Sequence, residues 1–198
     1  NVYVSDEWLN RIAMFSSDGE WLGAWGTQGD ADGEVDQPAG IAFDSEDNLY
    51  VVDTGNNRIQ KFTKDGQFLA KWGQQGSGDG EFDMPWGIGL DADNNVYIAD
   101  WRNDRVQVFD AEGRFITEII GDATLSKWGI TKLDANPDMK MQRDIAQGLE
   151  REKFLRGPMG VVVDDQDQVF IVDSQRNRIQ IYRKIPPFFV GLYDGGRL

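Results

Sequence analysis

One fourteen-residue pattern, seen at 49–62 as Leu-Tyr-Val-Val-Asp-Thr-Gly-Asn-Asn-Arg-Ile-Gln-Lys-Phe, occurs four times in recognisable form along this chain. In each copy an apolar run stops at an aspartate, Asp6, Asp53, Asp100 or Asp173. A second run begins five residues on at an arginine, Arg11, Arg58, Arg105 or Arg178. The aspartates are spaced by 47, 47 and 73 residues. Aromatic residues keep the same phase, as Tyr3, Tyr50, Tyr97 and Phe170, then as Phe15, Phe62, Phe109 and Tyr182. Two β-rich runs around a polar turn, repeating at a period in the high forties, describe a propeller blade rather than a helical solenoid.

Aligned on that period, the chain reads as an all-β propeller of about four blades, with blade one at 1–26, blade two at 38–73, blade three at 85–120 and blade four at 158–193. Blade two predicts strands at 40–44, 49–53, 58–63 and 67–72, the last pair joined by the hairpin signal Asp65-Gly66. Blade three repeats it with Glu112-Gly113. Blade four puts Pro186-Pro187 there and predicts its last strand at 188–193. Blade one begins at its second strand and so lacks the innermost one. Glycines open the inner strands as Gly40, Gly87 and Gly160, where strands crowd toward an axis. Consecutive apolar residues, as in Val51-Val52 and Val161-Val162-Val163, mean that both faces of each sheet are covered.

Composition narrows the chemistry. The 198 residues hold 25 Asp against 9 Glu, together with 23 Gly, a bias toward turns and caps over helix interiors. A net charge of −14 removes the main driving term of sequence-independent nucleic-acid binding. With no Cys there is no disulfide, thiolate metal site or thiol nucleophile; with no His, the commonest general base and zinc ligand are missing. No apolar run is long enough to span a bilayer. The opening Asn1-Val2-Tyr3-Val4 lacks the regions of a signal peptide, and the missing Met sets the expectation that the gene product begins upstream.

The aspartate row admits two readings. A carboxylate at the end of the second strand accepts N–H groups of the following turn and meets the arginine five residues on, closing a hairpin. The alternative is a ring of metal-binding or acid–base carboxylates. A device present in every blade is more simply a part of the blade, and the reading adopted is structural. The loops Asp30-Ala31-Asp32-Gly33-Glu34 and Asp79-Gly80-Glu81 hint at calcium. They recur at one phase without a full calcium-loop pattern, so no metal site is assigned and calcium is kept as the minor alternative.

Pro-x-Gly ahead of an apolar-x-apolar-Asp run, the sequence Asp79-Gly80-Glu81-Phe82, and Asn57-Arg58-Ile59 together resemble the NHL-repeat propellers. The resemblance covers all but 122–157. The Asn-His-Leu triplet that names the family stands here as Asn10-Arg11-Ile12, Asn57-Arg58-Ile59, Asp104-Arg105-Val106 and Asn177-Arg178-Ile179, with Arg replacing His throughout. The resemblance implies a platform for ligands, proteins or RNA, of the kind found in ubiquitin ligases and in extracellular sensor regions of bacterial kinases. It slightly favours an extracytoplasmic setting. A ligase's zinc-binding module is absent for want of Cys and His, and an RNA-binding basic face is at odds with the charge. Closed propellers of this type resemble rings of about six blades. The arc is therefore expected to be incomplete and to self-associate through uncovered edges.

Residues 122–157 lengthen the connection between blades three and four. Asn136-Pro137-Asp138 reads as the start of a helix over about 137–151. Met141, Ile145 and Leu149 fall on one face, a stripe expected to pack on the propeller rim. The functional reading is a non-catalytic binding or scaffold propeller whose partner is a protein or small ligand. The alternative is a calcium- and carboxylate-dependent propeller hydrolase or lactonase. Departures from the repeat mark the candidate binding residues: Trp86, Trp101 and Arg102, with Trp8 as a weaker member. Trp86 and Trp101, from one blade, are expected to form an aromatic platform with Arg102.

Overall fold

Strands that are apolar on both faces need a cover on each side, and the chain supplies it by stacking sheets around an axis. A computed structural model describes residues 1–122, 127–145, 148–185 and 188–191. Blade one comprises β1 (Val2–Asp6), β2 (Arg11–Phe15) and β3 (Trp21–Trp25). Blade two comprises β4 (Pro38–Phe43), β5 (Asn48–Asp53), β6 (Arg58–Thr63) and β7 (Phe68–Trp72). Blade three holds β8 (Pro85–Leu90), β9 (Val96–Asp100), β10 (Arg105–Phe109) and β11 (Phe115–Ile119). Blade four holds β12 (Pro158–Val163), β13 (Gln168–Asp173), β14 (Arg178–Ile185) and β15 (Phe188–Gly191). Each sheet is an antiparallel meander in chain order. The turn at Pro186-Pro187 and residues 192–193 of the expected last strand lie outside the described residues.

The core is divided into three interfaces with one recipe. Between blades one and two, Tyr3, Ile12 and Trp25 meet Leu49, Val51 and Phe62 around Val35. Between two and three, Tyr50, Val52, Ile59 and Trp72 meet Val96, Ile98 and Phe109 around Phe82. Between three and four, Tyr97, Ala99, Val106 and Ile119 meet Val169, Ile171 and Tyr182 around Leu155. The central residue of each set belongs to the inter-blade loop and acts as a plug, fully buried; such burial contributes about 1.5–3 kcal/mol per side chain. Among the described residues, none covers the outer side of blade four. Ile179 there is 60% exposed, whereas Ile59 and Val106, its counterparts, are 0%. Blade one likewise exposes Val2 and Val4, where Leu49 and Val51 are buried.

The insertion departs from the sequence reading. In place of one helix over 137–151, the structure has α1 (Lys127–Asp134) and α2 (Pro137–Ile145), followed by a 3-10 turn at Leu149–Glu152. Asn136 caps α2 by accepting the Met139 N–H at 3.3 Å, with Asp138 in the first turn. The expected stripe does not reach the rim. Helix α2 packs against α1, leaving Met141 and Ile145 exposed, the latter at 71%. Gly148, at φ +77°, turns the chain away before Leu149 joins the helix. Ile145→Asp should consequently change stability by no more than about 0.5 kcal/mol. A loss of several kcal/mol on urea denaturation would mean that α2 buries this residue after all.

Candidate functional site

One end of every sheet gathers the functional candidates. Strand register pairs Pro38 with Asp53, Asp53 with Arg58 and Ile59 with Trp72, so the blade openings, the hairpins between second and third strands, and the inter-blade loops share a face. The insertion joins the same face.

The aspartates sit beneath it. Asp53 is fully buried; its Oδ1 accepts the Asp36 N–H at 2.7 Å, and its Oδ2 accepts Arg58 Nε at 2.6 Å and Gln60 Nε2 at 3.0 Å. The far side of the Arg58 guanidinium donates to the carbonyls of Asp30, Ala31 and Glu34 at 2.6, 2.9 and 2.9 Å. Gln60 completes the clamp by donating to the Glu34 carbonyl and accepting the Gly33 N–H. Blade three repeats this with Asp100, Arg105 and Gln107 on the loop at 78–83. Blade four does so with Asp173, Arg178 and Gln180 on the loop at 153–156. Burial pushes the Asp100 carboxyl up, while Asn103, the Asp83 N–H and Arg105 pull against it. Blade one has only the Asp6–Arg11 pair at 3.2 Å, part-exposed, with Ala13 at the glutamine position.

The same contacts explain the loops that hinted at calcium. Their carbonyl oxygens converge on an arginine guanidinium, and their glutamates close the loops themselves. Glu34 accepts the Ala31 N–H at 3.1 Å, and Glu81 accepts the Gly78 N–H at 2.9 Å. Among the described residues, no group of three or more Asp or Glu is placed to hold a metal ion.

A second repeated device was visible in the sequence only as the first letter of a triplet. Asn10, Asn57 and Asp104 have φ of +50°, +51° and +56°, a conformation that Asn and Asp tolerate better than other side chains. Their side-chain oxygens accept the N–H of Gln37, Met84 and Gly157 at 2.7, 2.8 and 2.7 Å, stitching each blade to the next. Sequence reasoning also missed the glutamines and the plugs. Both had a signal: Gln60, Gln107 and Gln180 stand two residues after each arginine, and Val35, Phe82 and Leu155 stand eighteen before each aspartate. On the opposite face, Lys184 of blade four reaches Asp91 and Asp93 of blade three at 2.8 and 2.7 Å. Burial alone would raise the Asp91 carboxyl, but Lys184 and Asn95 outweigh it and hold the group below its usual value.

The tryptophans occupy three different places. Trp86, in β8, lines an apolar groove of about 300 Å³ at the axis with Ala39, Gly40, Met159 and Gly160. Trp101 is half-buried in the 3-10 turn Trp101–Asn103, on the seam with blade four. The exposed Arg102 holds its guanidinium 5.6 Å from the Trp101 ring centre and 3.7 Å from Asp83. Trp8 stands on the blade-one hairpin, 87% exposed. The expected platform of Trp86 with Trp101 is not formed: no ring contact joins them among the described residues, because an inner strand points one to the axis and a hairpin carries the other outward.

Comparison with known proteins agrees with the architecture. Residues 45–128 match a family described as 6-bladed beta-propeller, and residues 155–182 match the NHL repeat. No curated protein matches. Among solved structures, virginiamycin B lyase from Staphylococcus aureus is similar at 17% identity over 96% of this chain and 50% of that one, with a TM-score of 0.60. A variant of that lyase, catalytically inactive with a histidine changed to alanine, is known with quinupristin. An auxiliary nutrient binding protein from Bacteroides thetaiotaomicron shares 18% identity over 90% of this chain and 44% of that one, at a TM-score of 0.58. The WD40 repeats of RRP9 share 11% over 96% and 47%, at 0.63. The chain thus spans about half the length of these structures. At such identities the likeness shows the fold.

Proposed function

The chain is an arc of an NHL-type β-propeller, and on that premise we propose that it is a non-catalytic binding element whose hairpin face receives a protein or small ligand. The observation that carries this reading is the occupation of the repeated buried aspartate, arginine and glutamine side chains on that face. Asp53, Arg58 and Gln60, and their counterparts in blades three and four, spend their hydrogen bonds on one another and on the loops. What the face offers outward is Trp101, Arg102 and Trp8, with Trp86 set in the groove at the axis, residues suited to contact rather than to proton transfer. The uncovered flanks of blades one and four add a capacity for self-association. The family resemblance favours an extracytoplasmic setting, and no helix among the described residues is long and apolar enough to cross a membrane.

A lyase reading has less support: a variant of the similar lyase that loses a histidine is inactive, and these 198 residues contain none. The calcium-dependent hydrolase is separated by calcium titration with thermal melting and an assay on simple esters and lactones. A binding arc keeps its melting midpoint and turns nothing over. A midpoint that rises with calcium, together with calcium-dependent hydrolysis, overturns the reading. Trp101→Ala with Arg102→Ala should leave the midpoint nearly unmoved, since both side chains lie outside the three core interfaces.

A further inference from the structure

Every blade junction mates the same two surfaces, and each surface also occurs once without its mate. At the junction of blades two and three, Ala42, Tyr50, Val52 and Ile59 form the outgoing flank, and Val96, Ile98, Phe109 and Phe115 form the incoming one. Blade four carries the outgoing set again as Val162, Phe170, Val172 and Ile179, at the same spacings from Asp173 and Arg178. Blade one carries the incoming set as Val2, Val4, Phe15 and Trp21. Even the edge-to-face pair of Phe109 with Phe115, ring centres 6.0 Å apart, recurs there as Phe15 with Trp21 at 5.4 Å. Among the described residues both flanks stay open. Val2, Val4, Trp21, Val162, Val172 and Ile179 are each exposed by 44% or more, whereas their counterparts in blades two and three are buried or half-buried.

We propose that two copies of this chain join head to tail, each packing the outgoing flank of its blade four on the incoming flank of the other's blade one, and so close one ring with twofold symmetry. The inference makes specific the self-association named above and stands apart from the ligand-binding reading. Continuity with the internal junctions argues for a second copy as the occupant, because the chain already buries these two residue sets against each other three times. Length argues for closure. Unlike flanks make a heterologous contact, which either closes into a ring or runs on into a filament. The lyase and the WD40 repeats match this arc over 50% and 47% of their own chains, so two arcs supply one such chain. Together they bring about eight blades, within the range of four to eight that such rings hold. The seam lacks one part: in these 198 residues no plug stands eighteen positions before Asp6. It is therefore shallower than the internal junctions, and the dimer dissociates on dilution. Closure encloses the axial groove that Trp86 lines between the inner strands of both copies.

Light scattering and sedimentation of the 198-residue chain over a concentration series should show a monomer passing into a dimer and no further. Each copy carries a net charge of −14, so added salt should raise the dimer fraction by screening repulsion while the apolar contact persists. Val4→Asp and Ile179→Asp should each weaken dimerisation by about tenfold or more, and Ile145→Asp on the insertion should not. Mixing the first two variants separates the geometries. In a head-to-tail pair one seam of the mixed dimer is free of both substitutions, so the mixture should recover a one-to-one dimer that neither variant forms alone. Circular dichroism and thermal melting check folding, and Val2→Lys and Val162→Asp read the same two flanks if either first choice fails to fold. A single-chain mass at every concentration, assemblies that keep growing, dissociation by only one of the two variants, or a mixture that stays monomeric would each overturn the proposal. The calcium and turnover result, on which the binding reading stands, is independent of all four.

Discussion

Arg58→Ala should lower the stability of this chain by about 3–5 kcal/mol on urea denaturation, because it strands the Asp53 carboxylate in the interior without its charge partner. Asp53 has no exposed surface, and the hydrogen bonds it keeps, from the Asp36 N–H, Asn56 and Gln60, carry no full positive charge. The substitution also removes one donor from each of three loop carbonyls, those of Asp30, Ala31 and Glu34. Arg11→Ala is the internal control. The pair is the same in sequence, but Asp6 and Arg11 are part-exposed and hold no inter-blade loop, so the loss should stay below about 1 kcal/mol. Arg58→Lys should fall between the two, since an ammonium pairs with Asp53 but lacks the planar fork that spans the carbonyls. Equal losses for Arg58→Ala and Arg11→Ala would show that the clamp contributes nothing beyond its hairpin.

The repeat made most of this architecture legible. Blades, strand order and the shared face follow from periodicity alone, because each blade repeats the same local choices. What the alignment could not rank was the cost of each repeated position. Asp6 and Asp53 are indistinguishable in a pattern, yet one is backed by a loop and the other is not. The insertion was the least legible part, since it has no second copy to align with. Its apolar residues at 141, 145 and 149 have helical spacing, which fixes a face but not what that face meets. Helix α1 supplied a neighbour that a search for one stripe did not anticipate, and Met141 and Ile145 stayed outside. The tryptophans failed for a related reason. Trp86 and Trp101 share a blade, but blades are radial, and the length of β8 and β9 lies between the groove at the axis and the hairpin that carries Trp101.

The glycines of the inner strands separate sequence identity from structural consequence in the same way. Gly40, Gly87 and Gly160 occupy one position of the repeat, and only their surroundings differ. A Cβ on Gly87 would lie 2.5 Å from the Met159 carbonyl oxygen and 2.8 Å from Gly160 Cα. Both are backbone atoms that no rotamer change can move, so β8 and β12 would have to part. A Cβ on Gly40 would lie 2.7 Å from the Trp86 carbonyl oxygen, with the same result for β4 and β8. Gly160 meets only its own sheet, at 3.2 Å from Val172 Cγ2, a side-chain methyl that has room to shift. Gly87→Ala should therefore cost about 1–3 kcal/mol as an overpacked contact. Gly160→Ala should be neutral or stabilise by up to about 1 kcal/mol, through the lower entropy of its unfolded chain. Urea denaturation of the two variants ranks them directly. A cost at Gly160 equal to that at Gly87 would mean that these glycines serve the conformation of their own strand, and the radial crowding of inner strands would lose its role as the reason for them.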